Sequence, residues 1–441
     1  MGRENEGHDH AGISSRKNQG GKDPGLPKNA VAPGHGSTHA VPDPGKTQDL
    51  PVSWVGRLAM VNSSTQKIWT RDFSLIFLAH VVFSSAFCLL IPTLPIYLLK
   101  IGSTEIQIGV LIGSLGMISL VVRPFVGKAL LKCSEKPFMV TGILLFALGS
   151  VGYLFAFSFW LLLMMRIIQG VGSAFLFTAA VTWVANTSPE TRLGQSLGYY
   201  YLAFNIAFAV IPTFGMFLIN AYSFTVLFVV CTGVALCSLG LATKLRRRRI
   251  GLPGKIDSKE GSLLSREALP TAVVAMISSM NWGALTAFFP LYALRHGVSN
   301  PGLFFSALAV MIISGRALGG RILDLHSRER VILPCLTTSI IVMIMLVFSK
   351  TLPMFMVVAL VWGAGHAFLF PALAAYTLER TGSSPGPAMA TFSAFDELGT
   401  GLGAILSGII LRLSGYPMMF LCLAFAGLLN IVYFYFFVRK R

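Results

Sequence analysis

From Phe73 onward the chain alternates long apolar runs with short polar breaks. Twelve runs can be placed, near 73–99, 106–130, 137–157, 159–185, 194–219, 222–245, 269–295, 301–323, 331–349, 352–378, 388–412 and 416–438. Crossing the hydrocarbon core of a bilayer takes about 20 apolar residues in a helix, so each run predicts one membrane span. The 137–185 stretch is nearly continuous, and its break is placed around Phe157, Ser158 and Phe159. Residues 1–70 are of another kind, rich in Gly, Pro, His, Lys and Asn (GGKDPGLPKN, APGHGSTHAVPDPGK). Such a segment buries too little apolar surface to offset its ordering entropy, so a disordered tail is expected. Translation from Met60 would omit most of it. Four histidines lie there (His8, His10, His35, His39), where a metal-binding tract is the alternative to a solvated tail.

Basic residues orient the spans. Even-numbered breaks and the termini carry Lys67, Arg71, Lys128, Lys132, Lys136, Arg192, Arg246 to Arg249, Arg321, Arg328, Arg330, Arg380 and Arg439 to Arg441. Odd-numbered breaks carry Lys100, Arg295 and Lys350, with Arg412 near the end of segment eleven. The positive-inside bias then puts both termini in the cytoplasm. The longest internal break, 246–268, divides the twelve segments into six and six. The expected organisation is a cytoplasmic tail (1–70), a six-helix bundle (71–245), a basic cytoplasmic linker (246–268) and a second six-helix bundle (269–441).

Composition narrows the class. Of 441 residues, 54% are apolar and 12% charged, about half the ~25% charged of a soluble domain. A soluble fold, a collagen-like repeat and a nucleic-acid-binding domain are excluded for the bulk of the chain, and the expected surroundings are lipid. The net charge of +17 follows the breaks between spans rather than forming one basic face. Six scattered cysteines form no CxxC pair, which argues against a disulfide framework or zinc site. With no nucleophile–base pair, metal cluster or nucleotide loop in view, neither an enzyme nor a cofactor is expected.

The two halves align on themselves. A shift of 193 residues puts Arg123 on Arg316, Gly127 on Gly320, Lys128 on Arg321 and Gly215 on Gly408. It also puts GVGSAFLF (170–177) on GAGHAFLF (363–370). Near the start of each half the shift becomes 195, placing LPIYLLKIG (94–102) on FPLYALRHG (289–297). Duplication of a six-helix unit is implied, with a binding site between the halves near the bilayer midplane.

RPFVGKALLKCSEK (123–136), its echo RALGGRILDLHSRE (316–329) and RIIQGVGSA (166–174) resemble the motifs of the major facilitator superfamily. GAGHAFLFPALAAYTLER and GPAMATFSAFDELGTGLGAILSG are most similar to its arabinose-efflux-permease and drug:proton-antiporter-like members. The resemblance covers about 73–438 and implies an all-α membrane protein of twelve transmembrane helices in two pseudo-symmetric six-helix bundles. It also implies two cytoplasmic gate motifs: Arg123, Gly127 and Lys128, and Arg316, Gly320, Arg321 and Asp324. The first copy departs from the family pattern, with Leu131 where the second has Asp324. A symmetric gate is therefore in question.

Charged and polar residues inside spans are costly and so are candidates for function. Arg166, Gln169 and Ser173 form a stripe on one face of segment four. The resemblance implies that it lines the central cavity and that Arg166 serves substrate or proton coupling. The alternative is an arginine bonded to a neighbouring helix. Asp396 and Glu397, adjacent in segment eleven, point ~100° apart. Either is a candidate proton carrier, or else a partner of a cation that fixes packing. Asp396 shares a face with Gly399 and Gly403, and Glu397 with Thr400, Gly401 and Ala404. His80, His366, Asn205 and Asn281 complete the coupling candidates. Aromatic residues such as Tyr199, Tyr200, Tyr201, Phe204, Trp282, Phe288, Phe289 and Tyr292 serve either a cavity or packing.

The expected function is secondary active transport of a small organic compound by alternating access, as proton-coupled efflux. Proton-coupled uptake of a metabolite and a non-transporting sensor are the alternatives. The expected partners are a small-molecule substrate, protons and the lipid bilayer, with no nucleic acid, in a monomer of the bacterial inner (plasma) membrane.

Overall fold

The computed structural model describes residues 68–189, 192–246, 265–381 and 385–439. All belong to one compact unit, 62–441. The expected tail and most of the basic linker lie outside the described residues, as do the side chains of Gly320, Arg321 and Asp324. Eleven long helices are present among the described residues: α1 (Arg71–Lys100), α2 (Glu105–Leu130), α3 (Glu135–Gly152), α4 (Phe159–Thr187), α5 (Leu193–Ala221), α6 (Phe224–Thr243), α7 (Leu269–Arg295), α8 (Gly302–Leu325), α9 (Arg328–Phe348), α10 (Leu352–Thr381) and α11 (Pro385–Tyr433). A short π-helical turn, Phe434–Val438, ends the described chain. All eleven are long and apolar enough to cross a bilayer. The protein is an all-helical, multi-pass membrane protein.

Local chemistry sets the ends. Thr70, Thr104, Ser158 and Ser223 cap the N-termini of α1, α2, α4 and α6 with side-chain oxygens, and Thr104 forms a reciprocal box with Gln107. The 157–159 break predicted from sequence falls in the gap between Gly152 and Phe159. After α1 and α7 the chain reverses through Gly102 (φ 80°) and Gly297 (φ 78°), the matched last positions of the 195-residue repeat. Only glycine adopts that backbone without a Cβ clash.

α11 spans 49 residues but is not straight. Gly415, at φ 79° and ψ 176°, breaks its helical geometry. Gly399 lies against Met276 of α7, and Asn430 donates to the Val274 carbonyl (3.1 Å) and the Ser278 hydroxyl (3.0 Å) of the same helix. In a straight helix these two residues would stand about 46 Å apart. The chain therefore doubles back at Gly415, near the break predicted after 412.

Helices of the first half pack on one another, α3 on α4, α1 on α5 and α6, and α2 on α4, although α2 packs still more extensively on α11. In the second half α7 packs on α11, and α10 on α8 and α9. The halves meet along α2 with α11, α5 with α8, and more lightly α1 with α7. Contacts recur at the repeat offset. Gly170 abuts Leu115 and Ile118, while Gly363 abuts Leu308 and Met311, each 193 residues on. Likewise Asn186 donates to Glu135 (2.8 Å), and Arg328 pairs with Glu379 (3.0 Å) at the same offset.

Candidate functional site

The seam between α2 and α11 is made by small residues. A Cβ on Gly113 would sit 2.6 Å from the Gly401 carbonyl oxygen, and one on Gly408 would sit 2.6 Å from that of Glu105. Backbones approach this closely only where side chains are absent. The opposite face of α11 is equally bare: Gly399 and Gly403 lie against the Met276 and Met280 backbone of α7. Gly399 and Gly403, which share a face with Asp396, thus form a close-packing stripe.

Two charges end the α2–α11 seam. An Arg123 guanidinium nitrogen lies 2.7 Å from Glu397 Oε1, with the two side chains 31% and 24% exposed. Arg123 Nε also donates to Ser119 Oγ, one turn back, at 3.0 Å. Because adjacent helical positions diverge by ~100°, Asp396 faces α7 instead, where Ser279 donates a short hydrogen bond to Oδ1. The neighbouring carboxylates thus serve different helices, one across the boundary between halves and one within the second half. A gate residue and a coupling candidate, read separately from the sequence, form one ion pair. Each residue is a candidate in the sequence, but nothing there points to their pairing. Ser279 carries no signal, since a serine in an apolar helix is unremarked until its partner is known.

Arg166 and Gln169 are tied elsewhere. Arg166 is buried and donates to Gln169 Oε1 (3.1 Å), which also accepts from Tyr153 (2.6 Å). Gln169 in turn donates to Ser150 Oγ (3.0 Å), which meets Cys231 Sγ at 3.6 Å. The stripe thereby joins α4 to α3 and α6 inside the first half. Ser173 is buried with no partner for its hydroxyl among the described residues. Arg166 has no carboxylate partner among them.

The histidines are set among aromatic rings. His80 stacks on Tyr200, ring centroids 4.1 Å apart, with Phe177 at 5.6 Å. His366 stacks on Trp282 at 5.1 Å, with Phe370 at 5.0 Å and Trp362 at 5.8 Å. Trp282 also reaches Phe208 of α5 at 5.4 Å, so this cluster crosses between the halves. Asn281 is buried beside it, and Asn205 donates to the Tyr201 carbonyl of its own helix (3.2 Å). Of the other aromatics named from sequence, Tyr200, Phe288, Phe289 and Tyr292 are buried in the core, whereas Tyr199 and Phe204 are half-buried and Tyr201 is exposed.

At one end of the molecule the halves are also hydrogen-bonded. Thr213 and Ser306 hydroxyls lie 2.8 Å apart, and Asn220 donates to the Ser299 carbonyl at 2.9 Å. The family model for the Major Facilitator Superfamily matches residues 76–324 and 271–441. The chain belongs to the Major Facilitator Superfamily. Quinolone resistance protein NorA of Staphylococcus aureus (strain MSSA476) is 21% identical over 334 residues, 73% of this chain and 85% of that protein. An uncharacterized MFS-type transporter of Burkholderia mallei (strain SAVP1) is 25% identical over 339 residues, 74% and 82% of the two chains. A crystal structure of a bacterial homolog of the human lysosomal transporter Spinster, inward-facing and occupied, has TM-score 0.71 at 13% identity, covering 84% of this chain and 96% of that one.

This facilitator is a membrane transporter and not an enzyme. Of its gate-motif residues, Lys128 and Leu131 are exposed at the end of α2, and Gly127 has open space around its Cα. Arg316 is exposed on α8 and donates a long hydrogen bond (3.4 Å) to the Ala367 carbonyl. Lys136 donates to the Thr243 and Leu245 carbonyls (both 2.6 Å), closing the C-terminus of α6 with a cation.

Proposed function

We propose that the protein exports a small organic compound from the cytoplasm in exchange for protons, by alternating access. In this reading α11 contributes two crossings, joined at Gly415, for twelve in all. They form two six-helix bundles related by the 193-residue repeat, with both termini cytoplasmic. Support for the pseudo-symmetry comes from the repeated contacts of Gly170 and Gly363, and for export from the similarity to a protein named for quinolone resistance.

The observation that carries the coupling is the Arg123–Glu397 pair between halves, with Asp396 beside it. On the proposed topology the hydrogen-bonded Thr213–Ser306 end faces outward, so the halves are joined on the outer side. Protonating Glu397 removes the charge that holds Arg123. The seam then loosens and the halves can rock. Asp396, held by Ser279 against α7, supplies a second protonation site in the same bundle. Arg166 and Gln169 brace the first bundle so that it moves as a unit.

The test is accumulation of a fluorescent quinolone by proteoliposomes with an acid interior. Uptake above that of protein-free vesicles, abolished by a protonophore, is expected. Glu397→Gln should lose that accumulation but keep quinolone exchange at equal pH. Accumulation driven only by the opposite gradient would overturn export, and accumulation indifferent to the gradient would overturn proton coupling.

A further inference from the structure

The repeat that pairs Arg123 with Arg316 also pairs Glu397 with Phe204. The α2–α11 contact and the α5–α8 contact are therefore counterparts. One holds an arginine–carboxylate pair, whereas the other offers an arginine and a phenylalanine. Arg316 has no carboxylate partner among the described residues, only the long contact to the Ala367 carbonyl. A guanidinium presents up to five donors in a fixed fork, so the described residues use only a small part of its capacity.

Its position is also informative. Arg316 lies on the face of α8 that carries Gly302 and Phe305, since positions 14 and 11 residues apart fall within ~40° of one another on a helix. Gly302 abuts Pro212 of α5, and the Phe305 ring is 5.8 Å from that of Phe208. Further along α8 that contact ends, and Arg316 is exposed. Its acceptor, Ala367, directly follows His366 of the Trp282–His366 stack, which reaches Phe208 across the boundary. A fork for an oxyanion and a wall of flat apolar rings thus adjoin where the two halves part.

We propose that Arg316 binds the anionic group of an aromatic organic anion, such as an aromatic carboxylate, whose ring lies against Trp282 and His366. This rests on the transport reading. The substrate's oxyanion gives Arg316 what Glu397 gives Arg123, a planar charge-assisted contact. The aromatic body gains apolar burial and ring stacking. Binding thereby supplies on the α8 side of the boundary the charge-assisted contact that Arg316 lacks among the described residues.

The test uses purified full-length protein and three probes of one shape: 2-naphthoate, 2-naphthamide and a trimethylammonium naphthalene. Binding is read by tryptophan fluorescence quenching and by thermal shift. 2-Naphthoate should bind the unaltered protein about tenfold more tightly than the amide, as a charge-assisted contact implies. Arg316→Gln should erase that preference, and Arg316→Lys should restore it in part. Lys350→Gln, an exposed cation distant in sequence, should leave it intact. Preference for the amide or the cation, binding of none of the three, or a preference that survives in Arg316→Gln overturns the proposal. The comparison of probes on unaltered protein decides even where Arg316→Gln does not fold. Gradient-driven transport without naphthoate preference would refute this site alone. Naphthoate preference without gradient-driven transport would refute proton-coupled export and leave the site standing.

Discussion

Breaking the Arg123–Glu397 pair should release the seam by an amount that the structure brackets. Fully exposed ion pairs contribute about 0.2–1 kcal/mol, while removing one partner of a buried pair costs about 3–5 kcal/mol. This pair lies between those limits, at 2.7 Å with about a quarter to a third of each side chain exposed. Hydrogen bonds to charged groups contribute about 1.5–3 kcal/mol, which is the expected loss for Arg123→Gln or Glu397→Gln. By population arithmetic this raises the minor, outwardly parted state about ten- to 150-fold. Thr213→Cys reports that state, because the Thr213 hydroxyl lies 2.8 Å from Ser306 when the ends are joined. The exposed Cys133 and Cys237 and the partly buried Cys422 are first replaced by serine. Maleimide labelling of purified protein should then accelerate at least tenfold in either single variant, and no further in Arg123→Gln/Glu397→Gln. Additive effects of the two substitutions would show that the pair is no latch. Equal labelling rates in all four proteins would show that the seam does not control the outer end.

Three other outcomes follow from contacts already described. Gly113→Val forces a side chain against the Gly401 carbonyl and should cost about 1–3 kcal/mol by overpacking, seen as a lower melting temperature, whereas Gly127→Ala, with nothing nearby, should not. Gln169→Leu strands the Tyr153 and Arg166 donors it now satisfies and should destabilise by about 1–3 kcal/mol, with loss of melting temperature but no change in which probes bind. Deleting residues 2–59 should leave membrane insertion and gradient-driven accumulation intact, as measured in the same proteoliposomes.

The spans were legible because lipid demands long apolar helices, and the breaks at 157–159 and near 415 fall where short polar or glycine-bearing stretches interrupt them. The close-packing stripes were equally legible, since a glycine every four residues in a span has few uses other than helix contact. Partnership was not. Arg123 and Glu397 are 274 positions apart in sequence, and only the fold shows that they meet. For Arg166 the resemblance points to a cavity, with a bond to a neighbouring helix as the alternative. Periodicity tells which residues share a face, not which neighbour that face meets. That choice depends on Tyr153 and Ser150, which carry no pattern of their own.

The duplication separates what holds the fold from what makes it work. Positions where the halves agree are contacts of the scaffold: Gly170 and Gly363 against matched residues, Gly102 and Gly297 at matched turns. Other matched positions differ in kind, and two of them, Glu397 and His366, belong to contacts that cross between the halves. Glu397 answers to Phe204, His366 to Ser173, and Asp324 to Leu131. A pump with two equivalent interfaces would respond to a proton or a substrate in the same way on both sides, and could not bias one motion over the other. Coupling requires that one interface sense each ligand differently. In the proposed reading the carboxylate that takes a proton stands on the α2–α11 side, and Arg316, with no carboxylate partner among the described residues, stands on the α5–α8 side. In that reading, divergence at positions 204 and 397 creates the division and leaves the matched Gly170 and Gly363 contacts in place.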